Sequence, residues 1–269
     1  MGNDASRFVG DIPKHYDSGL GPNIFEYFAA QVAKRSAAFS PQMVLEIAAG
    51  TGFVSRFLRD ALPDDVPLLV TDLNAPMLEI AAKKFHADEK VMFKPVDAMS
   101  LPFEDDQINQ IVCQFGVMFF PDIVASYREV ARVLRPGGQY IFSAWCKNAD
   151  NPFSEVAHEA IAEFFPENPP GFYKIPFFYN DPDVVLSDLA EAGLTNASHE
   201  EMNHEREVTD LEAFARGLVL GNPVFDEIKD RGGVDPIDVV QRVLTRLRER
   251  FGAEPAKMPL RIGVYTAHK

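Results

Sequence analysis

With 269 residues, 46% of them hydrophobic and 25% charged, the chain suits one large domain or one domain carrying a sizeable insertion. Asp plus Glu number 40 against 26 for Lys plus Arg, a formal net charge of -14, and so acidic a surface repels phosphate, which argues against nucleic acid or an anionic membrane as a partner. The only cysteines, Cys113 and Cys146, form no CxxC and no Cys/His spacing of the kind that holds zinc, so neither a disulfide scaffold nor a metal centre is expected.

Residues 1–10 lack the basic and apolar regions of an export signal, and no apolar run approaches the roughly eighteen residues of a membrane span. The expected compartment is reducing and cytoplasmic, which makes the glycosylation pattern at Asn196-Ala197-Ser198 accidental. Next come His15-Tyr16-Asp17 and a glycine-rich Ser18-Gly19-Leu20-Gly21-Pro22, followed by an apolar helical period over 23–38 with Ile24, Phe28 and Val32 facing inward. This helix precedes the first strand, so it lies at the sheet edge or over the mouth of a site.

The centre of the chain is Val44-Leu45-Glu46-Ile47-Ala48-Ala49-Gly50-Thr51-Gly52. A short apolar run ends in a carboxylate, a small-residue loop follows, and Phe53, Val54, Phe57 and Leu58 then mark one face of a helix. Glycine and alanine suit a loop that a ligand presses against, because a larger side chain holds the ligand off. Alanine at 48 is expected to keep a negative φ. A second apolar run, 67–71, ends at Asp72, about twenty residues after the loop, where a carboxylate accepts from both ribose hydroxyls of an adenosine cofactor. Dinucleotide-binding enzymes share this much.

After Asp72, Asn74 is placed to cap a helix with Pro76 in its first turn. A third strand over 91–96 ends at Asp97-Ala98, and a fourth over 107–115 carries Gln114. A helix with Val124, Tyr127, Val130, Ala131 and Leu134 in register stops at Arg135-Pro136-Gly137-Gly138, read as a turn before a fifth strand over 139–145. Strands alternating with helices predict a parallel sheet covered on both faces. Beyond Trp145 the periodicities give a helix over 151–165, a stretch over 166–179 rich in proline and aromatics, a helix over 182–191, a strand over 198–208, helices over 210–229 and 235–251, and a last strand over 260–267. Arg242, Arg246, Arg248 and Arg250 alternate with acidic residues and read as a solvated helix face. His158-Glu159 lacks a second zinc-helix histidine, and His199 and His204 are misplaced for one helical face, so surface roles are expected for all three histidines.

Five pieces in this order, Leu45-Glu46-Ile47-Ala48-Ala49-Gly50-Thr51-Gly52, Thr71-Asp72-Leu73-Asn74, Val96-Asp97-Ala98, Gln114-Phe115-Gly116 and Leu134-Arg135-Pro136-Gly137-Gly138, resemble the class I S-adenosylmethionine-dependent methyltransferases that act on small molecules. The resemblance covers 39–145 strongly and the remainder loosely. It implies a seven-stranded, mostly parallel Rossmann-like α/β sheet with helices on both faces, an antiparallel last strand and a helical lid. It implies one domain over 1–269, with a cofactor-binding core at 39–146 and lid or substrate-side insertions at 150–180 and 209–256. Glu46 and the loop of Ala48, Gly50, Thr51 and Gly52 are then expected at the methionine end, Asp72 at the ribose, Leu73 on the adenine face, and Asp97 and Ala98 at the adenine amino group. Gln114 falls beside the sulfonium and the acceptor. Met77 joins the cofactor set, although it and Met118 equally fit a core.

Purely structural alternatives stand beside these roles: Glu46 capping the turn, Asp72 serving the following helix, and Gln114 only packing. The implied reaction is methyl transfer to a small acceptor. A nicotinamide-dependent oxidoreductase and a cofactor-binding protein without activity are the alternatives, the first weakened by Ser55 where the last glycine of G-x-G-x-x-G belongs. His15 and Tyr16 are the only base candidates. Phe153, Phe164, Phe165, Phe172, Tyr173, Phe177, Phe178 and Tyr179 suggest an apolar acceptor pocket.

Overall fold

The computed structural model describes residues 4–269; Met1 to Asn3, the beginning of the segment read for an export signal, lie outside the described residues. In chain order the elements are α1 (Ile12–His15), a π-helical stretch (Tyr16–Phe25), α2 (Glu26–Ala38), β1 (Val44–Glu46), α3 (Phe53–Ala61), β2 (Leu68–Asp72), α4 (Ala75–Ala82), β3 (Val91–Pro95), β4 (Ile108–Gln114), α5 (Ile123–Val133), β5 (Leu134–Trp145), α6 (Pro152–Ala162), α7 (Pro182–Glu191), β6 (Thr195–Val208), α8 (Leu211–Leu220), α9 (Val224–Arg231), α10 (Pro236–Phe251) and β7 (Ala256–His268). No helix among the described residues is long and apolar enough to cross a membrane.

The seven strands form one sheet in the order β3-β2-β1-β4-β5-β7-β6. The first five run parallel, and β7 lies antiparallel between β5 and β6. Its central strands are buried on both faces, which is why Val44, Leu45, Ile111 and Val112 follow one another without polar interruption. Because β2 lies on one side of β1 and β4 on the other, the connections leaving β1 and β4 part at this point. The crevice beyond the carboxyl ends of those strands is where an open α/β sheet accepts a ligand.

Polar pairs fix how α2 and α3 sit. Ser36 Oγ donates to Gln110 Oε1 at 2.5 Å, and Gln110 Nε2 donates to the Ser36 carbonyl at 3.2 Å and to Gln139 Oε1 at 2.7 Å, fastening α2 across β4 and β5. The buried Arg59 guanidinium donates to the carbonyls of Val66, Leu62 and Pro63, so the turn leaving α3 keeps its acceptors satisfied. At the surface, Arg242 and Arg246 on α10 both pair with Glu163, which follows α6, as expected for a solvated basic face.

The glycine-rich stretch before α2 is π-helical. Two elements differ from the sequence expectation. Leu134-Arg135-Pro136-Gly137-Gly138 is not a turn but the start of β5, held by Gly137 N–H donating to the Lys269 carbonyl at 2.9 Å and by Lys269 N–H returning a bond to Gly138 at 3.2 Å. The helix predicted over 210–229 breaks into α8 and α9 at Gly221-Asn222-Pro223, since proline cannot supply the N–H that would continue α8.

Candidate active site

Glu46, Asp72 and Gln114 end three neighbouring parallel strands, and all three line one cavity of about 580 Å³. The loop from β1 to α3 forms its floor. Ala48, Gly50 and Gly52 have φ of 52°, 58° and 82°, so the loop turns through the left-handed region three times. A negative φ was expected at Ala48. The loop imposes the left-handed conformation there on an L residue, at a cost of roughly 1–2 kcal/mol, and alanine tolerates it as the smallest residue after glycine. The same methyl group explains a glycine on the next loop, because a Cβ on Gly116 would stand 2.6 Å from the Ala48 Cβ.

Backbone bonds tie this loop to β2. Ala49 N–H donates to the Thr71 carbonyl at 2.9 Å, Thr71 Oγ1 donates to the Glu46 carbonyl at 2.7 Å, and Gly50 N–H donates to Asp72 Oδ2 at 2.8 Å. The other Asp72 oxygen accepts from the N–H of Asn74 at 2.8 Å and from its side-chain amide at 3.3 Å. Burial pushes the Asp72 carboxyl up, against the pull of these bonds. Glu46 is 1% exposed and its Oε2 has no hydrogen-bond partner; burial, opposed by the Ser55 hydroxyl and reinforced by the neighbouring Asp72 charge, pushes it up to about 8. Thr51 Oγ1 is likewise buried without a partner.

Around this floor stand Leu73, 55% exposed, and Asp97, whose Oδ1 accepts from Met99 N–H at 2.9 Å, with the buried Ala98 beside it. Met77 also lines the cavity while packing with Phe8 and Ile12, so it serves core and wall together. Gln114 Nε2 donates to the Phe25 carbonyl at 3.4 Å, and its Oε1 is buried without a partner. Of the residues expected at the cofactor, Gly52 alone does not line the cavity. A Cβ there would lie 2.8 Å from that of Ala81, so this glycine serves the packing of α3 on α4.

The remaining wall comes from the chain before β1. Ser6, Arg7, Phe8, Tyr16 and Phe25 all line the cavity. Asn74 does not cap α4, contrary to expectation; its side chain donates to the Ser6 carbonyl at 2.9 Å and accepts from Phe8 N–H at 3.2 Å, holding this segment in place. Of the two base candidates, Tyr16 lines the cavity and His15 does not. Burial, with the Asp72 charge adding to it, pushes the Tyr16 hydroxyl up, so it stays protonated.

Tyr16, Phe8, Phe25, Phe115 and Phe119 also line a second, smaller space of about 50 Å³, whose other walls include Trp145, Phe153, Phe172, Tyr173, Phe177, Leu218 and Asn222. Phe115, itself at a φ of 55°, lies flat on Trp145 with centroids 4.2 Å apart and planes 6° from parallel. Of the eight aromatics read from the sequence as an apolar pocket, Phe153, Phe172, Tyr173 and Phe177 line this second space. Phe164, Phe165, Phe178 and Tyr179 do not: Phe178 is 56% exposed, and the Tyr179 hydroxyl donates to Asp188 at 2.7 Å. His199 stacks on Tyr265 and His204 on Tyr27, which gives both a packing role.

Residues 44–138 match the family model described as a methyltransferase domain. A demethylmenaquinone methyltransferase of Staphylococcus aureus (strain Newman) is 30% identical over 172 residues, covering 63% of this chain and 70% of that protein. One from Deinococcus radiodurans is 32% identical over 125 residues, 46% of this chain and 52% of that protein, so the chain spans about half the length of that relative. Among solved structures, the Haemonchus contortus phosphoethanolamine N-methyltransferase 2 in complex with S-adenosyl-L-methionine superposes with a TM-score of 0.59 at 16% identity, over 96% of this chain and 56% of that one.

Proposed function

Because this chain belongs to the class I S-adenosylmethionine-dependent methyltransferases, we propose that it carries a methyl group from S-adenosylmethionine to a small, apolar acceptor. The observation that carries this reading is the meeting of Glu46, Asp72 and Gln114 on one cavity that shares its aromatic wall with a second, apolar space. The relatives named for demethylmenaquinone support an acceptor of low polarity.

The residues fit the cofactor. The unpartnered Glu46 oxygen suits the methionine ammonium, and Asp72, which keeps lone pairs beyond those taken by Gly50 and Asn74, would accept from the ribose hydroxyls. Leu73, Asp97 and Ala98 would frame the adenine. When bound, S-adenosylmethionine supplies an electrophilic methyl group on a sulfonium. The chain's own contribution is to hold the two partners in line and keep water out, and orientation of that kind supplies much of the acceleration. Phe115 and Phe25, at the wall between the two spaces, set the line of approach. Tyr16 is held protonated and His15 is off the cavity wall, so neither serves as a base. The segments 150–180 and 209–256 would cover the acceptor, since Phe153, Phe172, Phe177 and Leu218 stand in its wall.

Calorimetry tests the reading. S-adenosylhomocysteine is expected to bind, and Asp72→Ala to weaken it at least tenfold, because two charge-assisted hydrogen bonds at roughly 1.5–3 kcal/mol each are lost. Binding of NADH without binding of S-adenosylhomocysteine would instead identify an oxidoreductase.

A further inference from the structure

We propose that Asn74 is a positioning residue that couples the ribose end of the cofactor to residues 6–8, and that these residues form a flap, hinged at Gly10, which closes over the bound cofactor. The proposal rests on the methyltransferase reading and deepens it. Ser6, Arg7 and Phe8 line the cavity of Asp72, and the Asn74 side chain holds them there, its amide donating to the Ser6 carbonyl at 2.9 Å and its oxygen accepting from Phe8 N–H at 3.2 Å. Phe8 is 9% exposed and meets Tyr16 and Phe119 edge-on, with centroids 5.6 and 6.0 Å away. Beyond Gly10 the chain is fixed. Asp17 pairs with Lys84, just past α4, at 2.5 Å, and a Cβ on Gly221 would lie 2.7 Å from the Tyr16 nitrogen. Gly10 itself stands at a φ of 65° with nothing within 4 Å of where a Cβ would be, so the chain can turn there without striking a neighbour.

The coupling follows from counting acceptors. A carboxylate offers about four lone-pair sites. At Asp72 the Gly50 N–H takes one at 2.8 Å, the Asn74 N–H a second at 2.8 Å, and the Asn74 side-chain amide a third at 3.3 Å. Two ribose hydroxyls need two sites, so one existing bond must give way, and the amide's is the longest. The amide N–H released in this way can donate to the oxygen of the hydroxyl that displaced it, because a hydroxyl accepts as well as donates. Asn74 then joins the Ser6 carbonyl to the ribose, and flap, side chain and cofactor become one hydrogen-bonded run. By linkage, whatever the ribose adds to closure of the flap, the closed flap returns as retention of the cofactor.

The test is trypsin cleavage between Arg7 and Phe8 in the full chain, followed by mass spectrometry with and without saturating S-adenosylhomocysteine. The Arg7 side chain is exposed, but the N–H of the bond to be cut is the one Asn74 holds, so cleavage reports the open flap. In the wild-type chain the ligand is expected to slow cleavage at least tenfold. In Asn74→Ala it should slow cleavage less than threefold, and S-adenosylhomocysteine should dissociate about tenfold faster, the effect of losing two hydrogen bonds. A purely structural Asn74 would instead speed cleavage equally with and without ligand and leave their ratio intact. Gly10→Ala, whose methyl group touches nothing yet resists a φ of 65°, should speed cleavage of the free chain at least fivefold while keeping the wild-type ratio. Bound S-adenosylhomocysteine that gives the wild-type chain no protection, a wild-type ratio in a folded Asn74→Ala, or unchanged cleavage of Gly10→Ala overturns the proposal while leaving the cofactor assignment intact. Failure to bind S-adenosylhomocysteine at all overturns both.

Discussion

A buried carboxyl with an empty oxygen behaves as a proton store, and Glu46 is one. Its folded value of about 8 stands above the ordinary 4.5, so the folded chain holds this proton more tightly than the unfolded chain does. The resulting stability is complete below pH 4.5 and is lost as pH rises through about 8. Without ligand, the melting temperature is therefore expected to fall between those limits, and Glu46→Gln to flatten the decline. Pairing with an ammonium demands the ionised form, so cofactor binding near pH 7 should release a proton. Calorimetry of S-adenosylhomocysteine in buffers of different ionisation enthalpy measures that release, and an unchanged proton count in Glu46→Gln would refute the assignment. Two residues on, Ala48 makes the opposite kind of test. Glycine relieves the left-handed strain of roughly 1–2 kcal/mol but gives back roughly 0.5–1 kcal/mol to the unfolded chain. Ala48→Gly should thus stabilise by about 0.5–1 kcal/mol in chemical denaturation.

The π-helical stretch illustrates what a sequence conceals. Glycine and proline are the residues that usually punctuate a chain, and the sequence reading begins its helix only at residue 23, after Pro22. Yet a Cβ on Gly19 would meet the Gly217 Cα at 2.7 Å, and one on Gly21 would overlap the Phe53 ring, so both are small for the sake of partners far along the chain. Asn74 misleads for the same reason, its side chain being taken by Ser6 and Phe8 rather than by the helix it precedes. By contrast, Glu46, Asp72, Asp97 and Gln114 were legible because each closes or follows a strand whose apolar run is complete within a few residues. Gly217→Ala should show the long-range constraint directly. Its methyl group would press on the Gly19 backbone, and overpacking of this sort costs roughly 1–3 kcal/mol. Denaturation should report that loss, while affinity for S-adenosylhomocysteine, whose proposed cavity Gly217 does not line, should change less than threefold.

Across the whole molecule, one strand joins the two halves. β7 pairs with β5 from Gln139 to Trp145 and with β6 from Thr195 to Val208, and within the sheet β6 has no other neighbour. A chain cut before Ala256 should keep parallel β1 to β5 and lose the cooperative unfolding of the rest; heat capacity measured by scanning calorimetry should show a smaller, broader transition. The charged pattern of β6, with Glu200, Glu201, Glu205, Arg206 and Glu207, guards its outer edge against pairing with other molecules.

During synthesis the insertion of β7 sets an order of events. The glycine loop, Asp72 and Gln114 leave the ribosome long before the strand that completes their sheet, and β5 emerges with one edge bare. Everything from α6 to α10 must then wait, its β6 unpaired, until β7 arrives to be threaded between two strands already made. The nascent chain therefore passes through an interval in which every residue lining the cavity of Glu46, Asp72 and Gln114, the last being Pro121, has emerged while a long edge of the sheet stands open to the wrong partner. A small ligand held by that cavity would favour the correct half-sheet in that interval, so the proposed cofactor would assist this chain's folding before it took part in any reaction.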